Sequence, residues 1–275
     1  MLSDAQIKTF RERGFLKVGR VLDDDQVERL RERLDLVIAG QSQSNPELLR
    51  NLKGGDLDAE QVVIQIVNIW EADDLFQALT YNPTICEMAT DLIGTDTLRV
   101  WHDQIQYKPS RKGGSTDWHQ DHPYWPIIQP ADLVSAWVAL DDATTENGCM
   151  RMVPRSHLWG PHKGGTVGTK ADDFSPDPDL SLLPPNESVE IVPCEVMKGE
   201  CMFHHCLTWH GSPPNPSDKP RRAIAIHYMP GYTRYEPVGG HVMEVRVDVK
   251  PGEILKGEYF PTVWEKGPLT PGVRE

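Results

Sequence analysis

The sequence has few basic residues, and those it has are dispersed. Lys and Arg total 28 against 41 Asp and Glu, which gives a net charge of −13 at pH 7. Proteins that bind phosphate backbones or anionic lipids need clustered Lys and Arg, and no such cluster occurs. We therefore expect no nucleic-acid or membrane partner and a small-molecule substrate instead. Composition leaves the oligomeric state open.

Long hydrophobic runs and paired cysteines are also missing. No stretch approaches the roughly 20 apolar residues that cross a bilayer, and the N-terminal segment MLSDAQIKTFRERGF has no apolar signal core. The five cysteines are an odd number and lack C-x-x-C spacing, which disfavours a disulfide framework or a zinc knuckle. These absences predict a soluble protein in a reducing, cytoplasmic environment.

Helix signals are concentrated in the first third of the chain. Ser3 with Gln6, and Asp23 with Gln26, have the spacing of capping boxes at helix starts. A further helix is predicted from about residue 83 to 93, between an asparagine cap and a glycine stop. Residues 41–60 are polar and have no clear period, so they predict a loop.

Strand signals dominate the remainder. Short segments rich in Val, Ile, Trp and Tyr are separated by Gly, Pro, Asp or Asn. The predicted strands are 98–108, 118–122, 134–140, 149–153, 189–196, 200–203 and 221–229. Residues 159–185 are too rich in Gly, Pro and Asp for a central strand and predict an irregular excursion.

Helices first and strands later predict an α+β, mainly β fold. We expect a single domain spanning residues 1–275. It would consist of a helical part at about 1–95, a strand-rich core at about 96–230 and a C-terminal extension at 231–275.

Two histidines and one aspartate form the most informative pattern. The segment TDWHQDHPYW holds His119 and Asp121 in H-x-D spacing, and on an extended strand both side chains point to one face. His210 follows in TWHGSPPN. An H-x-D pair alone is a weak signal, but two histidines and a carboxylate make the facial triad of non-haem iron(II) oxygenases. These three residues are the predicted iron ligands.

An arginine follows the third histidine in the run PRRAIAIHYM. Strand alternation places Arg221 on a face with Ala223 and Ala225, and Arg222 on the opposite face with two isoleucines. Small neighbours leave room for a ligand, and a guanidinium can grip a carboxylate with two hydrogen bonds. Arg221 is the predicted carboxylate-binding residue, with a surface salt bridge as the alternative, and Arg222 is a supporting residue.

Polar residues on the strand before H-x-D are further candidates. Gln104, Gln106 and Lys108 share one face and could contact cosubstrate or substrate, although exposed edge positions are equally compatible. We take Gln104 as a cofactor-binding candidate.

Aromatic residues, other histidines and an acidic stretch have simpler interpretations. Tyr124, Trp125 and Trp137 could wall a pocket, although aromatic residues near a barrel centre are more often core residues, and the core is favoured for Trp137. The stretch DDATTENG lacks EF-hand spacing and predicts a turn rather than a calcium loop. The remaining histidines lack a paired carboxylate at ligand spacing and are expected to be structural or exposed: His102, His122, His157, His162, His204, His205, His227 and His241.

Taken together, these blocks resemble the phytanoyl-CoA dioxygenase family of iron(II)- and 2-oxoglutarate-dependent oxygenases. The similarity extends over most of the chain through SDAQIKTFRERGFLKV, WHQD, WVALDDATTENGCMRMVPRSH and HGSPPNPSDKPRRAIAIHY. The resemblance implies a double-stranded β-helix, a cupin-like jelly-roll barrel with helices packed on one sheet. It also implies that His119, Asp121 and His210 hold iron, that Arg221 grips the distal carboxylate of 2-oxoglutarate, and that Thr116 helps to hold this cosubstrate.

The resemblance further implies a reaction with O2 that releases succinate and CO2. Hydroxylation of an aliphatic C–H bond is the expected outcome, and Asp121 fills the position that halogenating relatives leave empty. Desaturation, cyclisation or epimerisation stay open. The alternatives are a 2-oxoglutarate-independent cupin-type iron dioxygenase or isomerase, and a non-enzymatic barrel-fold binding protein.

The substrate is expected to depend on the loops at 41–60 and 160–188, the second of which we expect to close over the site as a lid. A CoA thioester is a polyanion and would need a basic rim. The second loop is acidic instead, with Asp172, Asp173, Asp177 and Asp179 against Lys163 and Lys170. An amino-acid-like, alkaloid-like or natural-product substrate fits better.

Overall fold

Helices lie mainly in the first third of the protein, as a computed structural model shows. The structure describes residues 1–42, 45–162, 174–179, 181, 184 and 187–268. The helices are α1 Asp4–Arg13, α2 Asp24–Ile38, α3 Ile69–Ala72, α4 Asp74–Thr80 and α5 Pro83–Ile93. Between them and beyond them the chain is built from antiparallel strands.

The strands form two main sheets. They are β1 Phe15–Arg20, β2 Leu48–Asn51, β3 Ile64–Val67, β4 Thr97–Lys108, β5 Thr116–His119, β6 Ile128–Gln129, β7 Val134–Ala139, β8 Met150–Met152, β9 Val192–Cys194, β10 Glu200–His205, β11 His210–Ser212, β12 Arg221–Pro230, β13 Arg234–Tyr235 and β14 Thr262–Glu265. The large sheet has the order β1-β10-β7-β12-β4-β3-β2, with β14 also paired to β4. The small sheet has the order β5-β11-β8-β9, and β6 pairs with β13.

The predicted caps explain where the helices begin. Ser3 and Gln6 form a capping box at α1, and Asp23 and Gln26 form another at α2. The side chain of Asn82 accepts hydrogen bonds from the first turn of α5. These three helix predictions are confirmed.

Alternation along the strands separates two hydrophobic layers. On one face of the large sheet, Val138, Ile224 and Ile226 pack against apolar residues of the helices. On the other face, Trp137 and Ala223 belong to a second buried cluster that also contains methionines of β8 in the small sheet. The two sheets therefore face each other, with the helices outside the large sheet, as expected for a double-stranded β-helix.

Three sequence expectations are corrected by the structure. The part predicted to be helical also supplies strands β1, β2 and β3, and the predicted loop at 41–60 contains β2. The predicted strand at 118–122 ends at His119, and a short 3-10 helix covers His122–Tyr124. The reason is pairing with distant strands, which a local pattern does not contain. Other predicted strands are found with ends shifted by a few residues.

Two of the expected absences can be compared with the structure. All five cysteines are buried free thiols in the structure. Among the described residues, no helix combines the length and the apolar character needed to span a bilayer.

Candidate functional site

The three predicted iron ligands converge between the two sheets. His119 ends β5 and His210 begins β11, and these residues are register partners in the antiparallel pair. The Nε2 atoms of His119 and His210 lie 3.6 and 3.5 Å from Asp121 Oδ1. The three ligand atoms lie within 4.8 Å of one another, and all three residues are buried. Ligands at about 2.1 Å on perpendicular bonds lie about 3 Å apart, so the triad fits one metal ion after a small contraction.

Asp121 reaches this point by a bend and not by strand alternation. Its backbone is helical, with φ −72° and ψ −50°, and its N–H donates to the Cys206 carbonyl at 2.9 Å. Alternation along one extended strand was the predicted reason for the convergence of the His119 and Asp121 side chains. That explanation is wrong, although the two side chains do lie close together. The turn after β10, which contains Cys206, holds the bend in place.

Backbone carbonyls orient both imidazoles. The Nδ1 of His119 lies 2.7 Å from the Asp117 carbonyl, and the Nδ1 of His210 lies 2.9 Å from the Thr208 carbonyl. Because a carbonyl can only accept, each Nδ1 is the donor and each Nε2 keeps its lone pair. Both Nε2 atoms are thus presented to the same point beside Asp121, the arrangement that metal-binding histidines use.

The second oxygen of Asp121 is held by residues that sequence reasoning missed. His204 Nε2 lies 3.0 Å from Oδ2, and Ser135 Oγ donates to the same oxygen at 3.2 Å. The Nδ1 of His227 lies 2.7 Å from Ser135 Oγ. His204 has no carboxylate at ligand spacing in the sequence and was expected to be structural or exposed; it is buried and contacts Asp121. Its partner lies 83 residues away in sequence, beyond the reach of any local spacing.

Burial and these contacts favour neutral histidines and an ionised aspartate, the charge states in which these side chains bind a metal. Burial lowers the pKa of His119 and of His210, which favours the neutral, ligating imidazole. Burial alone would raise the pKa of Asp121, but His210 and His204 outweigh it and hold the pKa well below the usual range. Two neutral imidazoles and one carboxylate are a donor set that suits iron(II).

Arg221 is buried and lacks a hydrogen-bond partner on two of its nitrogens. Its exposed fraction is 1%, its guanidinium lies 5.6 Å from the Trp137 ring centre, and Nε and Nη1 have no partner among the described residues. Burial lowers its pKa to about 10, so it stays charged at neutral pH. A buried cation with unsatisfied donors is unstable unless an anion binds it. The site therefore also fits the carboxylate of 2-oxoglutarate.

Arg222 faces away from Arg221 and has its own partner. Its Nε and Nη2 donate to the two carboxylate oxygens of Asp141 at 2.8 and 3.0 Å, and Arg31 binds the same carboxylate. The predicted separation of the two arginines by strand alternation is confirmed. Lys108, the register partner of Arg221, is fully buried and donates to the Ser212 hydroxyl at 2.6 Å.

A cavity of about 290 Å³ opens beside two members of the triad, His119 and Asp121. Thr116, Gln104 and Gln106 line it beside His119 and Asp121. Arg221 is not among the lining side chains, but it shares the inner face of β12 with Ala223, whose register partner is Gln106. Thr116 and Gln104 thus lie where a cosubstrate at the metal could contact them.

Two segments that are distant in sequence also line the cavity. Leu48, Arg50 and Leu52 belong to the stretch predicted as a loop, and residues 240–242 belong to the C-terminal extension, for which no role was predicted. Trp125 also lines the cavity, and with it Tyr124. Of the two open alternatives, both residues take the pocket-wall position, and Trp125 is at the same time part of a buried apolar cluster.

The excursion at 159–185 and the expected lid at 160–188 lie largely outside the described residues, as do Lys163, Lys170, Asp172 and Asp173. In the described part, Phe174 stacks on Trp118 with ring centres 5.7 Å apart, and the Trp118 indole donates to the Ser175 carbonyl. Closure of a lid stays a prediction.

Comparison with known proteins settles the family. A family model described as phytanoyl-CoA dioxygenase (PhyH) matches residues 10–223. The chain belongs to the phytanoyl-CoA dioxygenase family. It is 29% identical over 264 residues to a probable phytanoyl-CoA dioxygenase of Caenorhabditis elegans, covering 89% of this chain and 81% of that protein. It is 25% identical over 228 residues to a probable alpha-ketoglutarate-dependent hypophosphite dioxygenase of Stutzerimonas stutzeri, covering 81% and 77%.

Solved structures of similar proteins have the same fold. The non-haem alpha-ketoglutarate-dependent carbocyclase SnoK from nogalamycin biosynthesis superposes with a TM-score of 0.78 at 27% identity, covering 95% of this chain and 96% of that chain. EctD from S. alaskensis, at 21% identity and a TM-score of 0.70 over 86% and 78% of the two chains, supports the fold alone. The expected cupin-like fold and the expected enzyme class, a non-haem iron- and 2-oxoglutarate-dependent oxygenase using O2, are confirmed.

Proposed function

We propose that His119, Asp121 and His210 hold iron(II), that Arg221 binds the distal carboxylate of 2-oxoglutarate, and that the enzyme hydroxylates an aliphatic C–H bond of a small molecule. Thr116 and Gln104 are the further cosubstrate contacts in this proposal. The observation that carries it is the pairing of a buried three-ligand cluster with a buried arginine lacking an anion partner. When bound, iron and 2-oxoglutarate supply oxidation of an unactivated C–H bond by O2, with succinate and CO2 as co-products.

The protein residues contribute orientation and shielding. His204 and Ser135 occupy Asp121 Oδ2, so Oδ1 is the oxygen directed at His119 and His210. Arg221 would fix the cosubstrate at one end through two hydrogen bonds, which sets its other end toward the metal. Trp125 and Tyr124 form an aromatic wall that limits the access of water.

The cavity favours a small substrate over a CoA thioester. A CoA group carries several phosphate charges, yet Arg50 is the only lysine or arginine in the described lining. The relatives named for phytanoyl-CoA therefore share the family with this chain, and their substrate is not the one we propose for it. An amino-acid-like, alkaloid-like or natural-product compound fits about 290 Å³.

A metabolite screen tests the proposed reaction. The purified protein is supplied with iron(II), 2-oxoglutarate, O2 and pooled small molecules, and both succinate and product masses are recorded. We expect a substrate-dependent rise in succinate with a product heavier by one oxygen atom. A product lighter by two hydrogens would replace hydroxylation by desaturation or cyclisation, and a product of unchanged mass would replace it by epimerisation.

Matched variants tie the reaction to the ligands. His119→Ala, Asp121→Ala and His210→Ala should each abolish turnover, whereas Asp25→Ala, which removes an exposed carboxylate of α2, should not. Turnover that survives in one triad variant would remove that residue from the proposed ligand set.

A cytoplasmic location is the remaining part of the proposal. It rests on the five free thiols, which suit a reducing compartment. Some relatives carry the name peroxisomal, so fractionation of the native cells with organelle markers is the direct test.

A further inference from the structure

Arg50 is the one positively charged side chain in the described wall of the cavity, and it lies on a strand outside the proposed iron and 2-oxoglutarate contacts. It belongs to β2, the last strand in the order of the large sheet, and lines the same cavity as His119 and Asp121. Its Nε donates to Gln65 Oε1 at 2.9 Å. Arg50 is exposed on β2, and partial desolvation of its guanidinium lowers its pKa from the ordinary arginine value.

A chain of amides fixes the direction of this arginine. Gln65 accepts from Arg50 and donates through Nε2 to Gln104 Oε1 at 2.7 Å. Both glutamines are buried, with exposed fractions of 7% and 9%. Because Gln65 uses its oxygen for Arg50 and its nitrogen for Gln104, the contact holds the guanidinium at Nε and leaves the two terminal nitrogens to other partners.

Within the part of the chain that the structure describes, no acidic group neutralises Arg50. Among the described residues it takes part in no ion pair, and the only carboxylate in the cavity lining is Asp121, whose oxygens face the other triad residues, Ser135 and His204. A guanidinium with two terminal nitrogens available matches the two oxygens of a carboxylate. A lone cation suits a monoanion better than a phosphate dianion.

We infer that Arg50, held by Gln65, binds a carboxylate on the substrate at the end of the cavity distant from Arg221. The substrate class is therefore a small carboxylic acid with its reacting carbon near the iron. This inference rests on the proposed function, because it places the substrate in the cavity beside the metal triad. It adds a residue that selects substrates and takes no part in holding metal or cosubstrate.

Paramagnetic relaxation measures this binding without knowledge of the substrate. The full chain is loaded with manganese(II) in place of iron and with saturating 2-oxoglutarate, which keeps Arg221 occupied. Matched probes are then titrated: cyclohexanecarboxylate, cyclohexanecarboxamide and cyclohexylphosphonate. Relaxation of probe protons by manganese falls steeply with distance, so it reports only probes bound near the triad.

The wild-type protein should bind the carboxylate about fivefold or more tightly than the amide, since a partly exposed charge-assisted contact contributes modestly. Arg50→Gln should abolish this preference, Arg50→Lys should keep part of it, and Gln65→Met should weaken it. Arg11→Gln, which removes an exposed arginine of α1, should leave it unchanged.

Equal relaxation of acid and amide in the wild type, or none for either, would overturn the inference. So would a preference that persists in Arg50→Gln, or a phosphonate that binds more tightly than the carboxylate. Manganese binding is recorded separately by electron paramagnetic resonance. A protein that binds no manganese contradicts the proposed metal centre itself, and that failure is thus distinguishable from a failure of the Arg50 assignment.

Discussion

At the scale of single residues, the two adjacent arginines have opposite environments although they are chemically identical. Arg221 is buried without a partner for two nitrogens, whereas Arg222 is bound to both oxygens of Asp141. Binding of an anion can therefore be assigned to one of them on physical grounds.

Arg221→Ala should weaken 2-oxoglutarate binding by about 30-fold or more, because losing one member of a desolvated charge pair costs about 2 to 5 kcal/mol. Arg221→Lys should restore only part of this affinity, since a point charge cannot reproduce the planar contact. Arg222→Ala is the matched control and should change it much less. The apparent 2-oxoglutarate affinity of each of the three variants is obtained from the dependence of succinate formation on 2-oxoglutarate concentration. A severe defect in Arg222→Ala with a normal Arg221→Ala would contradict the assignment.

The same burial makes Arg221 unfavourable for stability when 2-oxoglutarate is absent. Its pKa in the folded protein, about 10, is below the ordinary arginine value, so the cost of burying the charge is fully present below pH 10 and is relieved only above it. Arg221→Met should therefore raise the free energy of unfolding of the ligand-free protein, by about 1 to 3 kcal/mol. Denaturant titration at pH 7 checks this, and a less stable variant would mean that Arg221 has a partner in the free enzyme.

His204 should affect iron affinity without being a ligand. It holds Asp121 Oδ2 at 3.0 Å, and loss of such supporting contacts lowers metal affinity by about 10- to 100-fold. We expect this drop in His204→Ala, with one iron still bound at saturation. His157→Ala, which removes a histidine that contacts the Arg11 carbonyl, is the control. Complete loss of the stoichiometric site in His204→Ala would make His204 a ligand.

At the scale of elements, the junction between α1 and β1 supports the strand that carries His210. Gly14 has φ +83°, and its carbonyl accepts from His205 N–H and from the Thr208 hydroxyl, both at 2.8 Å. Thr208 in turn supplies the carbonyl that orients His210. A side chain at position 14 would clash first with the His157 ring and would also come within 2.6 Å of Thr208 Oγ1.

Gly14→Ala should therefore lower both stability and iron affinity. Gly19→Ala is a matched control, because Gly19 also has a positive φ, +85°, but an added side chain there would meet open space. The Gly19→Ala variant should therefore show the cost of backbone strain alone, about 1 kcal/mol or more. We expect the larger loss of stability in Gly14→Ala and a loss of iron affinity in that variant only. Thermal melts and iron titrations of the two variants provide the comparison. Equal melting temperatures and equal iron affinities would show that neighbouring residues move to relieve the clash at position 14.

Elements also show how far sequence reasoning extends. Helices α1, α2 and α5 follow from caps and apolar periods, and the faces of β12 follow from alternation, because these signals lie within the segment itself. Strand β2 was missed because LLRN is short and its pairing with β3 is fixed by tertiary contacts. The bend at Asp121 and the contact of His204 depend on chain segments more than 80 residues apart, which no local pattern reveals.

At the scale of the whole molecule, the His119–Asp121–His210 triad lies between two sheets that have apolar packing of their own. Apolar residues from both sheets form a cluster beside the centre, and the helices cover the large sheet with a separate layer. The fold should therefore persist without iron, unlike that of a zinc finger.

Removal of the metal with a chelator should lower the melting temperature only by the amount expected from lost ligand binding. The unfolding transition of the chelated protein should stay cooperative. Its near-ultraviolet circular dichroism spectrum at about 20 °C should closely match that of the metal-bound protein. Loss of that signal in the chelated protein would show that the metal is required for folding.

The most direct test of the account is the number of iron(II) ions bound per chain, measured anaerobically by equilibrium dialysis. The wild type and Asp25→Ala should each bind one iron per chain, because the triad forms a single site. His119→Ala, Asp121→Ala and His210→Ala should each lose it, with affinity lower by about 100-fold or more. One tightly bound iron in any of the three triad variants, or none in the wild type, would contradict the central claim.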